Sequence, residues 1–310
     1  WSLTMSVIKF GTDGWRAAIA EDFTFQNVRL CAQAVCGYLK ESGEASRGLV
    51  VGYDTRFASE HFAAAVAEVA TGNGIKTYLC DSAAPTPAIS YSVLTHGAAG
   101  GVVITASHNP WTDNGFKYKL DFGASATPEV VAQLEKHIAK LEESGSPLQR
   151  IPLQEANRRG LLETFNPAIL YLEKIRSLVE VEDIRQAGLR IAVDPMHGTG
   201  AGYLPLLLAG GSSRTHEIRA ERNPYFDGKG PEPIPRNLGA LLDMMKEGGY
   251  DVGIATDGDA DRLGVVDEEG RFINQLEVFA LLALYLLEAR GERGELVKSL
   301  TSTSMLYRLG

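Results

Sequence analysis

The sequence predicts an α/β fold of two domains with mixed sheets, followed by the start of a third. Strand-like and helix-like stretches alternate almost throughout, the pattern of sheets covered by helices. A zone rich in Glu, Ser, Gly and Pro, Glu142–Pro152, interrupts that alternation once, as an interdomain linker does. The 310 residues suffice for about two domains of roughly 150 residues each. The expected boundaries are 1–150, 151–272 and 273–310, the last being the truncated beginning of a further α/β domain.

In chain order, Leu49–Tyr53 is a short apolar run that reads as a strand, and Ser59–Gly72 carries a helical pattern. Ile75–Cys80 is strand-like, and a helical stretch follows Pro87. Gly101–Thr105 and Gly115–Lys119 read as strands, and Pro128–Glu143 as an amphipathic helix. Beyond the linker, Pro167–Leu178 reads as a helix and Leu189–Val193 as a buried strand. Asn223–Pro235, with four prolines among glycines and aspartate, is a loop. Leu238–Gly248 is a helix closed by glycine, Asp251–Ala255 and Leu263–Asp267 are strands, and Glu277–Arg290 opens the third block. A further strand is expected near Leu296–Thr301.

A net charge of −9 argues against a nucleic-acid or membrane-surface protein, but an anion site needs only local basic groups and backbone N–H donors. Cys31, Cys36 and Cys80 form no disulfide or metal pattern, and the first two read as small buried hydrophobes of one helix. The longest apolar run, Val278–Leu287, falls well short of the ~20 residues that span a bilayer. With no basic and apolar leader, the expected location is cytoplasmic. Trp1 in place of Met suggests a cloning scar or a trimmed end.

Four segments carry chemistry. Thr105-Ala106-Ser107-His108-Asn109-Pro110 follows a buried strand, where α/β domains bind ligands. Ser107 can serve as a nucleophile with His108 as proton carrier, or as a plain turn or N-cap serine. A Ser-His hydrolase fits poorly, because no G-x-S-x-G elbow surrounds Ser107. Asp257-Gly258-Asp259-Ala260-Asp261-Arg262 sets three carboxylates at alternating positions, able to converge on one hard cation and costly without it. Arg262 can then fork onto phosphate. A solvated acidic turn is the plain alternative. An EF-hand loop is disfavoured because Arg262 stands where its turn glycine belongs, although Glu268 falls at the twelfth position. Phe10-Gly11-Thr12-Asp13-Gly14-Trp15-Arg16 offers backbone N–H groups and Arg16 to an anion, or is a simple turn. Asn114-Gly115-Phe116-Lys117-Tyr118 places Lys117 on a strand, either exposed or desolvated enough to lower its pKa and move a proton.

Together and in this order, the four segments resemble the α-D-phosphohexomutases, most closely the bacterial phosphoglucomutase/phosphomannomutase type. Asp194-Pro195-Met196-His197-Gly198-Thr199-Gly200 and the Pro231-Glu232-Pro233 loop are similar to that group's second domain. The resemblance implies phosphohexomutase-type α/β domains around a cleft, with Ser107 as the phosphoserine. Ser107, Asp257, Asp259 and Asp261 would hold Mg²⁺, and His108 and Lys117 would be acid/base candidates. Arg16, Arg262, Asn109 and Thr12 would meet phosphate. It further implies interconversion of hexose 1- and 6-phosphates through a bisphosphate intermediate, with glucose 1,6-bisphosphate as activating donor. Glucose and/or mannose are the expected sugars, and phosphoglucosamine mutase the runner-up within enzymes. The family's G-E-x-S-G sugar loop and its distal phosphate loop do not occur before Gly310. A poorly active chain is therefore expected. A non-catalytic phosphosugar-binding fragment is the alternative, with self-association or a separate C-terminal half as partner.

Overall fold

The computed structural model describes residues 8–299, 302 and 304–309. Its first sheet contains six strands: β1 (Trp15–Ala18), β2 (Leu49–Tyr53), β3 (Thr77–Cys80), β4 (Gly100–Ile104), β5 (Asp113–Leu120) and β6 (Leu162–Phe165). Their order is β1-β5-β4-β2-β3-β6, with β4, β2, β3 and β6 parallel and the β4-β5-β1 edge antiparallel. Helices α1 (Phe25–Glu41), α2 (Ser59–Gly72) and α4 (Pro128–Ser144) cover one face, and α3 (Thr86–Thr95) covers the other. Leu49, Val50 and Val51 are fully buried, as expected of an inner parallel strand covered on both faces. Each such side chain contributes about 1.5–3 kcal/mol by leaving water.

The second sheet repeats the plan with five strands: β7 (Arg190–Asp194), β8 (Arg214–Glu217), β9 (Val252–Thr256), β10 (Leu263–Asp267) and β11 (Phe272–Ile273). Its order is β11-β10-β9-β7-β8, parallel among β9, β7 and β8 and antiparallel at the β10-β11 edge. Leu241 and Met245 of helix Gly239–Lys246 pack on one face, and Val181 and Leu208 close the other. Helix Ala168–Leu178 lies between the two sheets' helical layers, touching α3 and helix Tyr203–Leu208. After β11, helix Gln275–Leu284 starts with an Asn274/Glu277 capping box, continues as a π-type turn at Tyr285–Ala289, and packs Ala280 and Ala283 on Leu306. Among the described residues, no helix is long and apolar enough to cross a membrane.

The mixed α/β plan agrees with expectation, with two corrections. The first sheet does not end at 150, because β6 pairs in parallel with β3 (Thr77 beside Leu162 through Cys80 beside Phe165) and extends that sheet to Phe165. No strand forms over 296–299, and residues 300 and 301 lie outside the described residues.

Candidate functional site

Strand β4 is buried along its whole length and delivers Thr105-Ala106-Ser107 to its carboxyl end. Ser107 is buried and sits in the left-handed region, φ +53°. For a residue other than glycine that conformation costs about 1–3 kcal/mol and persists only when its surroundings hold it. Thr105 Oγ1 accepts from Ser107 N at 2.9 Å. On the other side lies Arg56, whose side chain is 0% exposed. Its Nη2 donates to the carbonyls of Ser107 (2.6 Å) and Asn109 (2.7 Å), and its Nη1 to those of Pro110 (2.8 Å) and Asp113 (3.0 Å). Asp54 stands 3.2 Å from Arg56 Nε. Sequence reading missed Arg56; its signal was the position of Asp54-Thr55-Arg56 directly after the parallel strand β2.

The acidic loop joins β9 to β10. Asp257 Oδ1 accepts from the backbone N–H groups of Asp261 and Arg262, both at 3.0 Å, which curls the loop around it. Asp257, Asp259 and Asp261 each bring a carboxylate oxygen within 4.8 Å of the others. The loop docks on the first sheet: Ser107 Oγ donates to Asp257 Oδ2 at 3.0 Å, and Thr86 Oγ1 and Lys117 Nζ donate to Asp259 Oδ2 at 2.8 and 3.0 Å. Lys117 also pairs with Asp13 at 2.7 Å and Asp261 at 3.7 Å. The nucleophile candidate from one sheet and the acidic triplet from the other thus form one cluster.

The electrostatics reverse one expectation. Burial alone would lower the pKa of Lys117, but Asp259, Asp13 and Asp261 raise it, so Lys117 is a held ammonium and not a free base. Burial would raise Asp259, yet the charge and hydrogen bond of Lys117, with Thr86, hold it low. Asp257 has no such cation, and burial with its two acidic neighbours pushes it up to about 8. His108 is shifted down by burial and by Arg262, which favours the neutral imidazole; its Nδ1 lies 3.3 Å from Ser107 Oγ. Burial would also raise Asp13, but Lys117, Ser125 and Lys119 hold it well below the usual carboxylate range. Asp13 belongs to a segment that sequence reading singled out, but its role as partner to two lysines was not foreseen.

These donors suit a hard divalent cation. They are carboxylate and hydroxyl oxygens, and Asp259 Oδ1 is buried without a hydrogen-bond partner, an atom left for a ligand other than protein. Gly258 makes the approach possible. A Cβ there would stand 2.8 Å from Ser107 O and 2.8 Å from Pro231 Cγ. Gly258→Ala should therefore push the loop away from Ser107 and raise the Mg²⁺ concentration needed for thermal stabilisation about tenfold or more, read by a melting-temperature titration.

The remaining predicted residues surround this cluster. Arg16 Nη1 donates to Asn109 Oδ1 at 2.9 Å, and Asn109 Nδ2 to Asp113 at 3.0 Å, so Asn109 steadies the serine turn in this state. Arg262 has a half-exposed side chain, with Asp261 4.0 Å away. Thr12 is exposed in the turn closed by the Gly11 N to Gly14 O hydrogen bond, and no contact joins it to the carboxylates. His197 is buried for a different reason. Its carbonyl accepts from Thr55 Oγ1 at 2.8 Å and ties the two sheets together. Strands flank the acidic loop on both sides, which excludes the EF-hand alternative.

Residues 7–145 match phosphoglucomutase/phosphomannomutase alpha/beta/alpha domain I, and residues 170–270 match domain II. The chain belongs to the phosphoglucomutase/phosphomannomutase family. A phosphoglucomutase/phosphomannomutase of Thermococcus kodakarensis is 33% identical over 308 residues, which are 96% of this chain and 63% of the relative. A phosphoglucosamine mutase of Carboxydothermus hydrogenoformans is 32% identical, covering 89% of this chain and 60% of its own length. Among solved structures, a Thermus thermophilus protein assigned as a phosphomannomutase superposes with a TM-score of 0.86 at 35% identity. That match covers 97% of this chain and 66% of the other. This family member therefore spans somewhat less than two thirds of the curated relatives it matches.

Proposed function

We propose that this family member exchanges a phosphoryl group between Ser107 Oγ and a hexose phosphate, interconverting the 1- and 6-phosphates through a sugar bisphosphate. The observation that carries this reading is the 3.0 Å hydrogen bond from Ser107 Oγ to Asp257 across the junction of the two sheets, in a cluster with a charged lysine. Mg²⁺ would be held by Asp257, Asp259, Asp261 and Ser107 Oγ and would supply charge neutralisation to the phosphoryl oxygens.

The chain's own groups have distinct roles. His108, in reach of Ser107 Oγ, exchanges the proton that the seryl oxygen gains or loses. Lys117 holds positive charge beside the transfer point and can deliver its proton as an acid. Arg16 and Arg262 bind the phosphate that is not being transferred, joined by Asn109 and Thr12. Glucose and/or mannose are the first sugars to test. Glucosamine is the second, because relatives named for both reactions show similar identity to the chain.

The test is incubation of the chain with Mg²⁺ and ³²P-labelled glucose 1,6-bisphosphate, followed by fragment mass mapping. Label should reside on Ser107, and label on another residue, or none, refutes the reading. Chasing the labelled chain with glucose, mannose or glucosamine 1-phosphate ranks the sugars by rate of discharge.

A further inference from the structure

Arg56 lies outside the acidic cluster, yet it makes the densest set of directed contacts in the vicinity of Ser107. Both terminal nitrogens of its guanidinium donate to two carbonyls each, all four from the span 107–113. The aromatic ring of Phe226, from the second unit, faces the guanidinium carbon at 5.2 Å from its centroid. The Ser107 carbonyl and the His108 N–H share one trans peptide and point in opposite directions. With that carbonyl fixed on Arg56, the His108 N–H faces the other way, and no hydrogen bond occupies it among the described residues.

The backbone of Arg56 is held in turn from the second unit. Arg222 Nη2 donates to Arg56 O and Arg222 Nε to Thr55 O, both at 3.0 Å, while Arg222 pairs with Glu60 through two hydrogen bonds of 3.0 and 2.8 Å. Thr55 Oγ1 reaches His197 O. One short loop, Asp54-Thr55-Arg56, therefore grips the serine turn with a side chain and the second unit with its backbone.

We propose that Arg56 is a positioning residue. It holds Ser107 in its left-handed turn, leaves the His108 N–H free to meet a phosphoryl oxygen, and sets the register between that turn and the acidic loop. This rests on the phosphoryl-transfer reading above. The step concerned forms a bond from Ser107 Oγ to phosphorus and breaks the bond from phosphorus to a sugar oxygen, and the seryl proton ends on that sugar oxygen.

The experiment compares the unaltered chain with Arg56→Lys, which keeps the charge but loses the fork, and with Arg222→Gln, which loosens the grip from the exposed side. Single-turnover labelling by ³²P-glucose 1,6-bisphosphate separates rate constant from amplitude. Arg56→Lys should label about 100-fold more slowly with its amplitude kept. A residue that served only stability would lower the amplitude and leave the rate constant unchanged. Amide hydrogen exchange should accelerate about tenfold or more across 105–115 while the distal β9–β10 strands stay protected. Arg222→Gln should change both readouts in the same direction by less, and it decides the matter if Arg56→Lys does not fold. A wild-type rate constant, or unchanged exchange over 105–115, overturns the proposal. If the unaltered chain takes no label, the reaction reading fails, while the exchange data still decide whether Arg56 holds the turn.

Discussion

Ser107→Ala should take up no phosphate from glucose 1,6-bisphosphate, a loss of at least roughly 10⁴-fold in transfer rate, because it removes the oxygen that the proposed transfer joins to phosphorus. The variant should still fold. Ser107 Oγ has two partners, Asp257 and His108. Asp257 is already pushed up to about 8, so losing one donor from it does not strand a committed charge. The turn itself is held through backbone carbonyls on Arg56, which alanine keeps. Intact-mass spectrometry and radiolabel counting give the result, and circular dichroism confirms the fold. Wild-type labelling of Ser107→Ala would move the nucleophile elsewhere.

Lys117→Met should be the most destabilising single change in the cluster. Lys117 and Asp259 are almost wholly excluded from water, 1% and 0% exposed, and their separation is 3.0 Å. Removing one partner of a buried pair leaves the other uncompensated, at a cost of about 3–5 kcal/mol. For units of this size, that lowers the melting temperature by about 10 °C. Mg²⁺ should restore more stability in the variant than in the unaltered chain, because Asp259 then keeps an unpartnered Oδ1 for the ion, with Oδ2 held by Thr86 alone and no ammonium beside them. Differential scanning calorimetry with and without Mg²⁺ measures both effects. A fall under about 3 °C, or equal Mg²⁺ responses, would show that Lys117 is not the principal counter-charge.

The sequence was most legible where hydrophobicity is continuous. The apolar runs at β2 and β10 matched the formed strands end to end. By contrast, β6 reads Leu-Glu-Thr-Phe and β8 reads Arg-Thr-His-Glu; both lie at sheet edges, with half-exposed side chains that leave no apolar run to detect. At the site, residue types and spacing exposed Ser107 and the three aspartates, because a strand end and alternating carboxylates are local patterns. The state of Lys117 was not local. Its principal counter-charges lie 104 and 142 residues away, so the direction of its pKa shift became visible only when the sheets were seen together. Arg56 was hidden for a similar reason: four of its acceptors are peptide carbonyls, which no side-chain pattern records.

The placement of the cluster at a junction has a consequence during synthesis. Chains emerge from the ribosome amino end first, and early domains fold before later ones are made. While the first sheet stands alone, Lys117 has Asp13 as its carboxylate partner, and the serine turn faces solvent where Asp257 and Gly258 will later sit. Arrival of the second sheet supplies the missing negative charge and buries the ammonium in the same event. The newborn half is thus an incomplete receptor that its own later residues finish.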